Sequence, residues 1–462
     1  MTSPLTPDVL VVGAGPAGLT AAAALARLIP GEVLVLEREA EPGGIPRHSH
    51  HTGFGLRDLR RLLTGPAYAR RLTEAARDAG AVVRTRATVT GWAPDPSDLP
   101  APSDLPAPSD LPAPSDLLVP SGLSDLAAPA DNGTSHRPAV DVTSPEGRFR
   151  VRPRIVVLAT GARERPRAAR LLPGDRPAGV LTTGQLQNAL HLNARRTVGR
   201  RAVVVGTDPV SRSAALALHR AGCRIALLIG RHRPAGTPAA LGLTAGTLLR
   251  APVAHRTRLV HIIGRTRVEA VEIEHLDTGA RRTVDCDTVV LTGDWIPDHE
   301  LARNGGLDLD PGTRGPLVDT ALRTSRPGVY AAGNLLHPVG TADAAALDGR
   351  HLAALIAARL AAEDPTGPPP GVRLLAEAPF RWVAPGLLRP GDPAPPRGRL
   401  LLWTDEYHRA PRLVLRRDGR IIAERRSARP AAPGRILPVP WSFVPPPALH
   451  DPGSGPLVIG LR

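Results

Sequence analysis

The residues whose types and spacing could do chemistry stand near the start. Gly13-Ala-Gly15-Pro16-Ala17-Gly18 directly follows the apolar run Asp8-Val-Leu-Val-Val12 and opens an alanine- and leucine-rich stretch, Ala17 to Leu28. Glu37 closes the next apolar run, Glu32-Val-Leu-Val-Leu36, nineteen residues past the last glycine. In a strand–turn–helix–strand unit each of these has a mechanical task. Gly13 makes the tight turn, Gly15 lets main chain approach a pyrophosphate, and Gly18 lets helix and sheet pack closely. The helix N-terminus, beginning at Pro16 and Ala17, offers unpaired N–H groups and partial positive charge to phosphates. Glu37 accepts hydrogen bonds from an adenosine ribose, and its charge disfavours a 2′-phosphate. With strand, helix and acid in register, the chemistry is dinucleotide binding.

The elements that must position this loop repeat later. The first unit runs through β-rich stretches (Ala81 to Trp92, Val140 to Val151) to Ile155-Val-Val-Leu-Ala159-Thr160-Gly161. A second begins at Arg201-Ala-Val-Val-Val-Gly206, continues through Thr257 to Asp277, and ends in Thr288-Val-Val-Leu-Thr-Gly293. Agreement in order across whole units implies two related α/β domains. The fold class expected is therefore α/β, with two Rossmann-like three-layer ββα dinucleotide-binding domains and a small C-terminal β module.

The expected organisation is an FAD-type domain over 1–198, a second, degenerate NAD(P)-type domain over 199–298, and a return segment of the first domain over 299–361. A linker over 362–377 includes Glu363-Asp-Pro-Thr-Gly-Pro-Pro-Pro-Gly371 and leads to a β-rich module over 378–462. In that module Asp418-Gly419, between Arg412-Leu-Val-Leu-Arg416 and Arg420-Ile-Ile-Ala423, signals a hairpin. Between Pro94 and His136 the pattern gives way to Pro-Ser-Asp-Leu-Pro-Ala repeats rich in aspartate and without arginine. That composition cannot build a core, and a disordered insertion in a surface hairpin is expected over 94–136.

Several motifs together resemble the pyridine nucleotide-disulfide oxidoreductase superfamily, flavoproteins with two dinucleotide-binding domains. They are Gly13 to Gly18, Glu37-Arg38, Gly43-Gly44, Ala159-Thr160-Gly161 and Gly328-Val-Tyr-Ala-Ala-Gly333-Asn334. Gly43-Gly44-Ile45-Pro-Arg47-His48 and Ala162-Arg-Glu-Arg-Pro166 make the chain most similar to the FAD subunits of the opine oxidase, hydrogen cyanide synthase and sarcosine oxidase alpha type. The resemblance implies that the first glycine loop holds the FAD pyrophosphate and Glu37 its adenosine ribose, with Arg38 also among the cofactor-binding residues. Gly44, Ile45, Arg47, Val89, Ala159, Thr160 and Gly161 would then lie along the cofactor. Gly333-Asn334 would close over the ribityl and flavin end, and a helix from about Thr341 to Leu360 would point its N-terminus at the flavin. The family's usual residue after Gly333 is aspartate; the Asn334 amide still hydrogen-bonds a ribityl hydroxyl or phosphate, without the charge.

Two departures restrict the function. Cys223 and Cys286 are the chain's two cysteines, and no Cys-x-x-Cys pair exists, so a redox disulfide beside the flavin is excluded. The second glycine loop reads Gly206-Thr-Asp208-Pro-Val-Ser211, and Asp208 puts a carboxylate where a pyrophosphate should approach. NAD(P)H binding stays open there.

His48 and His50, with His51, follow Gly44 and so fall near the expected flavin. A neutral imidazole there would take a substrate proton as hydride leaves, whereas surface or phosphate-facing histidines are the competing reading. No acid is spaced to make them a metal site. The net charge of +15 comes from 58 basic residues, all arginine and scattered, with 4 Phe, 5 Trp and 3 Tyr. That pattern is a solvated surface rather than a nucleic-acid face. No apolar run approaches the roughly 20 residues of a membrane span. Met1 to Asp8 lacks a basic flank, so no signal peptide is expected and the cytoplasm is the expected compartment.

The expected function is an FAD-dependent oxidoreductase. It moves a hydride or two electrons through the flavin, between a small-molecule substrate or NAD(P)H and an acceptor. The alternative is a non-catalytic or electron-transfer flavin-binding subunit of a multi-subunit dehydrogenase, partnered by a second dehydrogenase or iron–sulfur subunit.

Overall fold

The computed structural model describes residues 4–93, 137–193, 195, 197–232, 251–362, 369–449 and 455–462. Uninterrupted β-branched and leucine runs form parallel strands covered on both faces. In the first sheet these are Val329–Ala331, Ile155–Leu158, Val9–Val12, Val33–Leu36 and Val82–Arg84, in that spatial order. Helix Pro16–Leu28 packs between this sheet and the long helix Ala342–Ala362, so close that a Cβ on Gly349 would lie 2.2 Å from the Ala17 carbonyl oxygen. An antiparallel sheet of Thr88–Trp92, Val140–Ser144 and Gly147–Val151 covers the crossover. Trp92 pairs with Val140, so the strands flanking the proline-rich repeats do form a hairpin stem, while the repeats themselves, 94–136, lie outside the described residues.

The second unit repeats the plan. Its parallel sheet orders Val180–Thr182, Thr288–Leu291, Arg201–Val205, Arg224–Gly230 and Val253–His255, with the antiparallel Thr257–Ile263, Ala270–His275 and Arg281–Asp285 alongside. One boundary differs from expectation. Val180–Thr182 is hydrogen-bonded into this second sheet, upstream of the division expected at 198/199; three residues are too few to announce a strand by pattern.

The C-terminal residues form two sheets around their own core. One orders Leu387–Leu388, Val372–Ala376, Leu457–Leu461, Arg412–Arg417 and Arg420–Arg426; the other orders Phe380–Ala384, Arg399–Thr404 and Leu437–Pro440. Val372–Ala376 falls within the stretch expected as linker, 362–377. The expected hairpin turn is present, with Asp418 at φ 49° and Gly419 at φ 77°, the left-handed pair a two-residue turn requires.

This C-terminal unit is bolted to the return segment of the first. Fully buried Asp319 accepts from Arg323 Nε at 2.7 Å and from Arg389 Nε at 3.0 Å, and Arg323 also pairs with Asp392. The Leu387 N–H donates to the Val318 carbonyl at 3.2 Å. Among the described residues no helix is long and apolar enough to cross a membrane.

Candidate functional site

The first glycine loop has the geometry its sequence requires. Gly13 sits at φ 104°, and a Cβ there would stand 2.6 Å from the Ala159 carbonyl oxygen. A Cβ on Gly18 would lie 2.0 Å from the Gly13 oxygen, so the helix is pressed onto the turn. Gly15 is different: its φ of −79° suits any residue, and a Cβ there would meet nothing within 4 Å. It is the N-cap of helix Pro16–Leu28, and no side chain caps that end. The loop therefore presents main-chain donors and a positive helix end to one open side.

The neighbouring residues border that side. Gly44, at φ 61°, would place a Cβ 3.0 Å from the Gly15 Cα, and the Gly43 N–H donates to the Ala14 carbonyl at 2.8 Å. Buried Glu37 accepts the Ala14 N–H through Oε2 at 2.8 Å and the Glu39 N–H through Oε1 at 2.9 Å, which fixes its carboxylate and leaves lone pairs for a ribose. Ala159 closes the strand with an N–H to the Val12 carbonyl at 2.9 Å. Thr160 Oγ1 donates to the Asp298 carbonyl at 2.8 Å, and Gly161, at φ 79°, faces open space. Val89 is half-buried against the main core.

Gly333 is wedged against the glycine-loop helix, since a Cβ there would stand 2.8 Å from the Ala17 Cβ. Asn334 Nδ2 donates to the Gly340 carbonyl at 2.9 Å, while its Oδ1 is buried without a partner among the described residues. The long helix follows at Ala342–Ala362, with Asp343 accepting the Gly55 and Arg57 N–H groups at 2.9 Å each. The other three residues expected along the cofactor have the following surroundings. Ile45 is exposed at the start of the 3₁₀ turn Ile45–His48, Arg38 pairs with Asp298 at 3.3 Å, and Arg47 is committed to Glu39 and the Glu41 carbonyl.

The histidines gather where the two dinucleotide-type units meet. His48 is buried, with Nδ1 unpartnered, and burial pushes its imidazole below the ordinary value against the pull of Gln187. His50 stacks on His191, with ring centroids 3.9 Å apart and 7° between planes. Burial, then Arg220, holds His50 low. Burial, reinforced by His50, His48 and Arg220, pushes His191 down to about 4. Arg220 Nη1 donates to the His50 carbonyl at 2.6 Å, and Ser49 Oγ donates to Gln187 Oε1 at 3.2 Å. These rings are thus neutral at pH 7, as proton acceptors must be. Sequence reasoning misses His191; its signal is structural, a π-helical turn at Asn188–Leu192, a feature frequent at functional sites.

The second loop is built otherwise. Asp208 is the N-cap of helix Pro209–Arg220, and its Oδ1 accepts the Ser211 N–H at 2.9 Å and the Ser211 hydroxyl at 2.7 Å. A Cβ on Gly434, from the C-terminal unit, would lie 2.9 Å from the Asp208 Cβ. A cavity of about 990 Å³ opens beside this loop, lined by Asp208, Arg170, Trp295, Trp403 and Arg435 among others. Cys223 and Cys286 are free and buried in the second unit, their thiols pushed up by burial to about 11 and about 12.

Two parallel-sheet units with a glycine loop apiece, the first bare and the second capped, define a dinucleotide-binding flavoprotein architecture. Residues 133–349 match the family model described as pyridine nucleotide-disulphide oxidoreductase, and residues 11–79 match that of an NAD(P)-binding Rossmann-like domain. Over a little under half of its length the chain is thus similar to the pyridine nucleotide-disulphide oxidoreductase family. It is 30% identical to an opine oxidase subunit of Agrobacterium tumefaciens (strain Ach5), over 76% of its own length and 65% of that protein's. The corresponding opine oxidase subunit of Rhizobium meliloti is 28% identical, over 76% and 62%. The chain thus spans less than two thirds of these relatives. In solved structures it is similar to T. acidophilum thioredoxin reductase, with TM-score 0.58, 19% identity, and 77% and 99% of the two chains covered.

The residues at the first loop fit an FAD. The bare N-cap at Gly15, the open side at Gly15 and Gly161, and the unpartnered Asn334 Oδ1 are what a diphosphate and a polyhydroxyl chain would engage.

Proposed function

We propose that the protein is an FAD-dependent oxidoreductase that takes a hydride or two electrons from a small organic donor rather than from NAD(P)H, without a redox disulfide. The observation that carries this reading is the contrast between Gly15, whose helix end is bare, and Asp208, whose carboxylate already caps the second helix. A pyrophosphate at the second loop would have to displace that cap and face its charge.

When bound, FAD supplies the two-electron acceptor. Gly13, Gly15, Pro16, Ala17 and Gly18 cradle the diphosphate with main chain, and Glu37 holds the adenosine ribose. Gly44, Val89, Ala159, Thr160 and Gly161 line the groove, while Asn334 Oδ1 accepts from the ribityl chain. His48, buried and neutral, is the residue proposed to accept the donor's proton, with His50 beside it. The names of the curated relatives, subunits of an opine oxidase, support a donor of the amine or imino-acid class and a partner subunit that receives the electrons.

The test is the visible spectrum of the purified protein and its response in stopped flow. A flavin spectrum that is lost in Gly15→Asp, and that amine or imino-acid donors bleach while NADH and NADPH do not, supports the reading. Rapid bleaching by either nicotinamide overturns the choice of donor, and a protein that cannot be loaded with FAD overturns the whole.

A further inference from the structure

Apolar side chains left in water gather at one place that the function above does not use. Eleven large apolar residues are exposed among the described residues, and four of them, Ile45, Leu56, Leu62 and Leu192, stand on elements that pack against one another. Ile45 opens the turn Ile45–His48. A Cβ on Gly65, which directly follows the strand Leu63–Thr64, would lie 2.2 Å from the Pro46 carbonyl oxygen. That turn is thus pressed against the root of the hairpin whose tip bears Leu56 and Leu62. Leu192 ends the π-helical turn whose His191 stacks on His50. Exposed apolar surface collected in one neighbourhood marks an interaction site.

The tip, residues 55–62, is a built structure between the strands Thr52–Phe54 and Leu63–Thr64. The Leu59 and Arg61 N–H groups donate to the Gly55 carbonyl at 3.2 and 2.9 Å. Buried Asp343 accepts the Gly55 and Arg57 N–H groups, and buried Asp58 accepts the hydroxyl of Tyr68 through Oδ2 at 2.6 Å. A tip held this way loses little freedom on meeting a partner. Its carboxylates are turned inward, which leaves the outside basic. Residues 44–71 hold six arginines and one acid, Asp58. Arg57, Arg60 and Arg61 are exposed between the two leucines.

The same anchors place the tip at the rim of the groove beside the bare helix end. Ala69, next to Tyr68, has its Cβ 2.7 Å from where a Cβ on Gly43 would stand. Ala345, two residues beyond Asp343, has its Cβ 3.3 Å from where one on Gly333 would stand. Gly44, after Gly43, packs on Gly15, and Gly333 packs on Ala17.

We infer that the tip and the apolar face around it dock an acidic protein, the partner subunit that receives the electrons. This rests on the proposed FAD reading and adds the chemistry of its partner: an apolar centre ringed by carboxylates. A second copy of the chain is a poor occupant, because it would set arginines against arginines. A lipid surface separates an apolar face from a charged one, whereas here arginines and leucines interleave along the tip. Oxidising one reduced flavin consumes two molecules of a one-electron carrier, and the proton that came with the hydride passes to water.

The experiment uses the FAD-loaded protein, reduced anaerobically with dithionite and mixed in stopped flow with oxidised cytochrome c. The cytochrome is either native and basic or made acidic by succinylation of its lysines. Wild type is expected to reduce the acidic form about tenfold faster, an advantage lost between about 0.05 and 0.5 M salt. The triple variant Arg57→Glu, Arg60→Glu, Arg61→Glu is expected to reverse that preference. The same reversal at Arg420, Arg425 and Arg426, exposed on the C-terminal unit, is expected to leave it intact. Leu56→Ser with Leu62→Ser is expected to slow reduction of the acidic form at every salt concentration. Reoxidation by benzoquinone, small and neutral, should be equal in all four proteins. A preference that the tip variant keeps, or that the distant variant loses equally, overturns the inference. So does sedimentation of wild type with phosphatidylglycerol vesicles that the double leucine variant abolishes, which would assign the face to a lipid surface. A wild type that cannot be loaded with FAD defeats the underlying FAD reading instead.

Discussion

Asp208 holds the N-terminus of the second crossover helix with its own carboxylate, 2.9 Å from the Ser211 N–H. The equivalent place in the first unit is Gly15, whose helix end no side chain caps. One chain thus contains the same βαβ device twice, once left open to a ligand's phosphate and once closed by a carboxylate of its own.

It follows that nicotinamide should be a poor ligand and Asp208 a good brace. NADH and NADPH, each up to about 1 mM, the upper range of ordinary Michaelis constants, are expected to leave the flavin unreduced. Asp208→Ala is expected to cost about 1 kcal/mol, the usual worth of such a cap. A melt in which Asp208→Ala equals wild type would remove the capping role.

The first loop separates binding from folding. Gly15→Ala puts a methyl group into space the protein does not fill, at a φ alanine accepts. It should leave the apo-protein's stability within about 0.5 kcal/mol while weakening FAD strongly. Gly18→Ala drives a Cβ to 2.0 Å from the Gly13 carbonyl oxygen, which cannot retreat without opening the turn. That variant should lose about 1–3 kcal/mol with or without FAD. Urea titration of both apo-proteins distinguishes the two outcomes.

What the sequence discloses follows the range of the forces involved. Gly13, Gly18 and Glu37 are legible because a turn, a close helix and a strand end are each decided within a few residues. The hairpin at Asp418-Gly419 is legible for the same reason. The strand Val180–Thr182 is not, because three residues carry no period and only pairing with Thr288–Leu291 makes them a strand. His191 and Arg397 are not, because nothing local marks them. His191 matters through a ring stacked from residue 50, and Arg397 through a carboxylate on a helix of another unit. The ion pairs of Arg38 with Asp298 and of Arg47 with Glu39 are likewise set by residues that no local pattern joins.

The cysteines should be silent. With thiols pushed up to about 11 and about 12 by burial, almost no thiolate exists at pH 8, and the thiolate is the reactive form. Native protein is expected to react with an aromatic disulfide reagent far more slowly than unfolded protein, which should release two equivalents. Anaerobic dithionite titration of the double variant Cys223→Ala, Cys286→Ser should consume the same two electrons per flavin as wild type. A further pair taken up by wild type alone would reveal a redox disulfide.

The stacked rings of His50 and His191 make stability depend on pH in a defined window. His191 titrates near 4 in the folded chain against an ordinary value of 6.5, with burial first and the facing His50, His48 and Arg220 next among the causes. The folded state therefore binds fewer protons than the unfolded one between these values, and stability must fall as pH falls through that range. By about pH 7.5, one unit above the ordinary value, both states hold a neutral ring and the dependence ends. Asp348 acts at lower pH: burial alone would raise its carboxyl, but His337 and Arg397 outweigh it and hold the folded value below 3.8, so the stability it contributes is lost only on further acidification. The urea midpoint of wild type is expected to be flat above about pH 7.5 and to decline progressively from there toward pH 5. His191→Gln keeps a planar polar group against His50 but has no proton to bind, and should decline less steeply over the same interval. A decline of equal steepness in the variant would assign the effect to the other imidazoles that burial holds low, His48, His50 and His232.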